Sequence, residues 1–198
     1  MGKIFFVMGK SATGKDTVYK TLLERLPKLK KVILYTTRPV RDGEKNGVEY
    51  YFTDRDGLEK FRRNGRVIEE RTYETVYGPW SYFTVDDGQI DLSEENNYLM
   101  LGGTLESYEK IKAYFGEGKL FPVYLEVEDG ERIIRAVRRE RTQKVPKYKE
   151  LCRRFLADEE DFKEENLKRC GIEKRFYNHK MELCMEEIVR AVEAEMQS

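Results

Sequence analysis

Gly9-Lys10-Ser11-Ala12-Thr13-Gly14-Lys15 is the stretch best suited to chemistry, because it spaces two glycines and a lysine as G-x-x-x-x-G-K. Glycine lets the backbone curl until successive N–H groups point inward, and such a concavity holds phosphate oxygens. A helix beginning near Lys15 directs its unpaired amides and positive dipole end at the same anion. Lys15 adds a point charge that can follow the outer phosphates. A nucleoside triphosphate site is therefore expected from Gly9 to Thr17. Asp16 stands where a Ser or Thr hydroxyl usually meets Mg²⁺. A carboxylate is a hard oxygen ligand and suits Mg²⁺ too, although an acid in a first helical turn can equally be a cap. Both readings stay open, with Asp16 as the candidate metal ligand and Thr17 beside it.

A second anion site is expected in Thr36-Thr37-Arg38-Pro39-Val40-Arg41. Two arginines three apart, leaving a core strand beside a phosphate loop, offer the planar bidentate donors that position a monophosphate for in-line attack. Tyr50 and Tyr77 add hydroxyl donors on short, stiff levers. Further along, ten of the 23 residues from Arg132 to Arg154 are Lys or Arg, against two Glu. That run is either a solvated helix face or a mobile anion clamp, and a phosphate loop elsewhere in the chain favours the clamp.

The elements that must position these residues form a simple order. Ile4-Phe5-Phe6-Val7-Met8 is a short apolar run ending in glycine, as in a strand buried on both faces. Helical spacing follows from Lys15 to about Leu26 and stops at Pro27, and Val32-Ile33-Leu34-Tyr35 reads as the next strand. Strand, helix and strand in so short a length make the βαβ unit of a parallel sheet. Residues 38–83 are richer in charge, Gly and Tyr, with strand-like stretches around one short helix near 56–63. Further strands are expected at 97–101, 121–127 and Phe176-Tyr177, with helices over Leu105–Phe115 and 181–197. The class is α/β: a three-layer α/β/α core with a parallel sheet. Its expected parts are a core of 1–37, 84–131 and 155–198, a small β-rich insertion at 38–83, and a helical lid at 132–154.

Composition sets the outer bounds. The 198 residues carry 37 basic and 37 acidic side chains, so the electrostatic footprint of a nucleic-acid binder is missing. No apolar run approaches the ~18 residues of a membrane span, and the apolar N-terminus is too short for a signal peptide. Three widely spaced cysteines and one histidine make neither a disulfide framework nor a zinc set. A reduced, cytoplasmic protein, monomer or homodimer, is expected.

From Thr36 to Phe52 the chain reads T-T-R-x-x-R-x-G-E-x-N-G-x-x-Y-x-F, followed by Val67-Ile68-Glu69 and Val76-Tyr77-Gly78. This pattern strongly resembles the guanylate kinase family of nucleoside monophosphate kinases. The resemblance implies ATP in the core, GMP at the insertion, Mg²⁺ between them, and GMP converted to GDP. It implies that Arg38, Arg41, Glu44, Tyr50 and Tyr77 serve the acceptor phosphate and that Glu69 accepts from the guanine edge. It also implies lid arginines, matched here by Arg138, Arg141 and Arg154, and an asparagine at adenine, matched by Asn178.

Three departures bear on the acceptor. Leu34-Tyr35 replaces small hydroxyl residues, and Pro79-Trp80 replaces a hydroxyl residue that reads the base. The strand Tyr98-Leu99-Met100-Leu101-Gly102-Gly103-Thr104 ends without the family's aspartates. Two alternatives follow. One is a kinase on another phosphorylated acceptor, such as the ribose 1,5-bisphosphate of a related branch that also carries G-K-D. The other is a non-catalytic guanylate-kinase-like binding module. In the catalytic readings Asp16 takes over the metal role of the missing acid. Trp80 and His179 are read as packing residues.

Overall fold

The computed structural model describes residues 2–75 and 78–197. In chain order the elements open with β1 (Ile4–Gly9), α1 (Lys15–Arg25), β2 (Leu29–Lys31), β3 (Tyr35–Thr36) and β4 (Tyr51–Phe52). Next come α2 (Arg55–Arg63), β5 (Val67–Tyr73), β6 (Trp80–Val85), β7 (Asn97–Leu101) and α3 (Leu105–Phe115). A short 3-10 turn leads to β8 (Leu120–Glu126), and then α4 (Asp129–Arg141), α5 (Tyr148–Asp161) and α6 (Glu164–Arg169) follow. The chain ends in β9 (Phe176–Tyr177) and α7 (Met181–Gln197).

Five strands form a parallel sheet in the order β2-β7-β1-β8-β9. Its central strand explains the layering. Side chains of a strand alternate between faces, and here Ile4, Phe6 and Met8 enter one buried cluster with Leu105, Tyr108 and Ile111 of α3. Phe5 and Val7 enter the other with Val18 and Leu22 of α1 and Ile188 and Val192 of α7. The continuous apolar run is thus covered on both sides, giving the three-layer α/β core. No helix among the described residues is long and apolar enough to cross a membrane.

A second sheet, β4-β3-β6-β5, holds the segment after β2. The expected single strand at 32–35 is divided between the two sheets. Val32 still donates its N–H to Leu99 O at 3.1 Å, but the Gln89 side-chain amide then pairs with both Ile33 N and Ile33 O. That amide ends the first ladder, and Tyr35 and Thr36 join β6 in the second. Leu34 packs on the core, while Tyr35 stacks with Phe83 at 5.5 Å and donates its hydroxyl to Asp87 at 2.7 Å. These two departures from the family pattern therefore serve packing.

Gly102, just past β7, lies against the Phe6 ring: a Cβ there would sit 2.0 Å from the ring edge. Both groups are deep in the core and cannot yield cheaply. Gly102→Ala is expected to lower the urea midpoint by the equivalent of about 1–3 kcal/mol. In a double-mutant cycle Phe6→Leu should cancel part of that loss, because the ring edge is what collides.

Candidate active site

The loop between β1 and α1 is a run of unusual backbone. Gly9 has φ 146°, Gly14 φ 97°, and Ala12, at φ 66°, is the one non-glycine with positive φ among the described residues. A Cβ on Gly9 would lie 2.4 Å from Leu125 O, and one on Gly14 2.7 Å from Asn178 Nδ2, so both positions are confined to glycine. A left-handed alanine costs about 1–2 kcal/mol, so the surrounding contacts must hold it. Buried Thr13 donates its hydroxyl to Lys10 O at 2.9 Å, and Asn178 Nδ2 donates to Thr13 O at 2.8 Å. Gly14 is the N-terminal boundary of α1 with no side-chain cap, which leaves the first-turn amides open. Asp16 does not cap this helix. It stands exposed with Thr17 at the edge of the loop cavity.

That cavity measures about 440 Å³ and is lined by Ser11, Ala12, Gly14, Lys15, Asp16, Thr17, Arg135, Arg139 and Arg154. Lys15 Nζ donates to Gly9 O at 2.7 Å and Lys10 O at 2.8 Å. Arg154 Nε is buried with no hydrogen-bond partner among the described residues, and the nearest acid, Glu150, stands at 3.8 Å. A buried donor left open toward a cationic cavity is what an anion would satisfy.

Of the expected lid arginines, Arg154 lines the cavity and the other two stand apart from it. Arg138 and Arg141 are exposed and do not line the cavity, whereas Arg135 and Arg139 do. With Arg132 they stand at i, i+3 and i+7 on one face of α4, and Arg138 and Arg141 are rotated away from it. Helical spacing carried this signal, once buried Ala136 is taken to mark the inward face. Arg132 is 1% exposed and forms a knot that the sequence did not announce. It donates to Asp129 at 3.0 Å, Ser11 O at 3.3 Å, Asp158 at 3.4 Å and to Glu159, beneath the Phe155 ring. Lys10 pairs with Glu159 at 2.8 Å, and Ser11 N donates to Asp158 at 2.7 Å. Lys10 and Ser11 N are therefore occupied by α5. Asn178, expected at adenine, is 1% exposed and its amide donates to Thr13 O, so it braces the loop from behind.

Across the gap, Arg38 is 3% exposed and makes a two-pronged pair with Glu44 at 2.7 and 2.6 Å. Its guanidinium also lies over Tyr50 at 5.1 Å and Phe52 at 5.3 Å. Glu44 accepts the Arg41 N–H as well, and these donors, Arg38 foremost, hold its pKa near 2. The Arg41 side chain is exposed. Thr36 and Thr37, next to Arg38, lock β3 to β6 by hydrogen bonds with Ser81. Burial, foremost, raises the Tyr50 pKa, and the ring packs edge-on against Tyr82 at 5.6 Å beneath the Arg38 guanidinium. Tyr77 lies outside the described residues.

Glu69 is 2% exposed. Arg71 Nε reaches its Oε2 at 3.1 Å and Arg71 Nη2 its Oε1 at 3.4 Å, while Thr84 Oγ1 donates to Oε1 at 2.9 Å. The carboxylate expected to face a guanine edge is closed by an arginine. Among the described residues no cluster of three or more His, Cys, Asp or Glu is arranged to hold a metal. Mg²⁺ at a phosphate site takes one or two protein oxygens with phosphate and water supplying the rest, and the exposed Asp16 and Thr17 fit that donor set.

Comparison with known proteins bears on this arrangement. The guanylate kinase family model matches residues 1–86. A guanylate kinase of Chlorobaculum tepidum is 32% identical over 135 residues, covering 68% of this chain and 66% of that one. The chain belongs to the guanylate kinase family. It is a divergent member: a guanylate kinase of a Nostoc species is 31% identical over 116 residues, covering 59% of this chain and 56% of its own. The chain thus matches at most about two thirds of these relatives' length. The crystal structure of guanylate kinase from Anaplasma phagocytophilum covers this whole chain and 87% of its own, with TM-score 0.70 and 20% identity, a likeness of fold.

Burial, against the opposing pull of Asp158 and Asp16, lowers the Lys15 pKa from 10.5 to about 8. The folded protein penalises the charged ammonium, so this group's contribution to stability rises as pH climbs from about 8 to 10.5. Anion binding needs the ammonium and moves the other way. Between pH 7 and 9 calorimetry should show triphosphate affinity falling by up to about tenfold. Lys15→Met should bind weakly and lack that slope.

Proposed function

We propose that this protein transfers the terminal phosphoryl group of ATP to the phosphate of a nucleoside monophosphate, as its family relatives' names imply. The observation that supports this reading is the buried Arg154 Nε, without a hydrogen bond among the described residues, at the wall of a cavity shared with Lys15, Arg135 and Arg139. An acceptor phosphate oxygen bonds to the γ-phosphorus while its bond to the bridging oxygen breaks and ADP leaves. The open amides of the loop and α1 hold the donor phosphates. Lys15 and the arginines of α4 and α5 neutralise the charge that spreads over the transferred group. Arg38, stiffened by Glu44 and stacked on Tyr50, orients the acceptor, with Arg41 at its exposed side. Mg²⁺, held by Asp16 and Thr17, would supply further charge neutralisation on the phosphates. The division into core, acceptor insertion and lid belongs to this proposal, as does a cytoplasmic setting in which Cys152, Cys170 and Cys184 stay unpaired.

GMP is the acceptor to test first, because it is what the relatives' names point to. One observation favours a second acceptor: Glu69 is closed by Arg71.

In a coupled assay of ADP release with ATP and Mg²⁺ over a panel of phosphorylated acceptors, Lys15→Met and Arg154→Ala should each lower kcat by about 100-fold or more. Arg38→Ala should chiefly raise the KM for the acceptor. Near-normal turnover in the first two variants would remove the proposed roles.

A further inference from the structure

We infer that Arg71 sets the acceptor specificity of this site, and that it selects a phosphorylated acceptor carrying a second anionic group over a guanine nucleotide. The inference rests on the acceptor site proposed above and concerns what fills its far end.

Three observations converge. First, a ligand reaching this corner meets Arg71 before Glu69: the Glu69 side chain is 1% exposed and that of Arg71 12%. Oε1 of Glu69 already takes Arg71 Nη2 and Thr84 Oγ1, and Oε2 takes Arg71 Nε. A guanine edge presents N–H donors in a row and needs both carboxylate oxygens, so here it would meet a donor instead of an acceptor.

Second, Arg71 stands where the strand-end acid would stand. A Cβ built on Gly103 would lie 2.0 Å from Arg71 Nη1, so any side chain there collides with the guanidinium tip. A side chain at Gly103 and this arginine therefore exclude each other. The arginine puts a positive group where an acid would be negative.

Third, the cation has spare capacity and the right neighbours. Arg71 Nη1 donates to nothing among the described residues, although guanidinium nitrogens carry five N–H donors in a fixed fork. Arg71 sits opposite Tyr82 across β5 and β6, Tyr82 packs on Tyr50 at 5.6 Å, and Arg38 lies over the Tyr50 ring at 5.1 Å. One guanidinium therefore serves the acceptor phosphate at Arg38, and the other stands at the far end of the same site. A molecule with an anion at each end satisfies both, and a monophosphate with a donor edge satisfies one.

The test is titration calorimetry on the full chain with ribose 1,5-bisphosphate, ribose 5-phosphate and GMP, for the wild type, Arg71→Gln and Gly103→Ala. The wild type should bind the bisphosphate at least about tenfold more tightly than the monophosphate, as a charge-assisted hydrogen bond provides. GMP should bind more weakly than the bisphosphate. Arg71→Gln should erase the gap between the two ribose phosphates. Gly103→Ala, whose methyl group displaces the flexible guanidinium tip without removing its charge from the chain, should narrow it. If Arg71→Gln does not fold because Glu69 is left unpaired, Gly103→Ala decides. GMP bound more tightly than the bisphosphate by the wild type, or a gap unmoved in the folded variants, would overturn the assignment. The transfer reaction is judged separately. A bisphosphate preference without ADP release from ATP and Mg²⁺ supports Arg71 and rejects the kinase reading, whereas transfer to GMP with no Arg71 effect does the reverse.

Discussion

The left-handed turns of residues 9–14 are the constraint on which the rest of this structure depends. Bringing backbone N–H groups and the Lys15 ammonium together in a half-buried loop is unfavourable twice over, through strain at Ala12 and through burial of the ammonium, which two loop carbonyls, Gly9 O and Lys10 O, partly offset. The neighbouring elements act as the restraint. Gly9 packs on the end of β8, Thr13 is tied inside the loop, and Asn178 braces it from the last strand of the sheet. The central strand feeding the loop is buried on both faces, so the loop's base cannot shift without disturbing both cores.

Charge around the loop is arranged in two tiers. Arg132, Lys10, Asp129, Asp158 and Glu159 satisfy one another and fasten α4 and α5 to the loop. Arg132 is the buried member, and its removal would leave Asp129, Asp158 and Glu159 facing one another without their common partner, so this tier holds geometry. Arg135, Arg139, Arg154 and Lys15 form the second tier at the cavity wall, where Arg135 pairs with Glu131 at 3.0 Å and Arg154 Nε is left without a hydrogen bond among the described residues. The zero net charge of the chain conceals this separation. Acid is concentrated where it anchors α4 and α5 to the loop, and among the residues lining the cavity Asp16 alone is acidic.

The second sheet applies the same logic to the acceptor. Arg38 is fixed by Glu44 and two aromatic rings, so in the proposed acceptor role it would lose little freedom on binding. Arg71 is fixed by Glu69 and given room by Gly103.

Much of this was legible in one chain because it is local. The glycine spacing of the loop, the doubly buried run 4–8, the helices at 105–115 and 181–197 and the short strand Phe176-Tyr177 all follow from near-neighbour geometry. Arg38, Glu44 and Tyr50 were legible through a motif of adjacent positions. Other features needed the tertiary structure, because they join segments far apart in sequence. Which arginines of α4 face the cavity depends on how that helix packs against the loop and α5, and Arg138 and Arg141 turned out to be on the outer side. Asn178 became a brace because β9 brings it behind Thr13. Residues 29–36 split between two sheets because a single side-chain amide, Gln89, takes over the ladder at Ile33. The meeting of Arg71 with Gly103 is of the same kind. Sequence spacing sets which groups a local turn or helix can offer, but only the packing of remote elements decides which of them share one space and which charge that space carries.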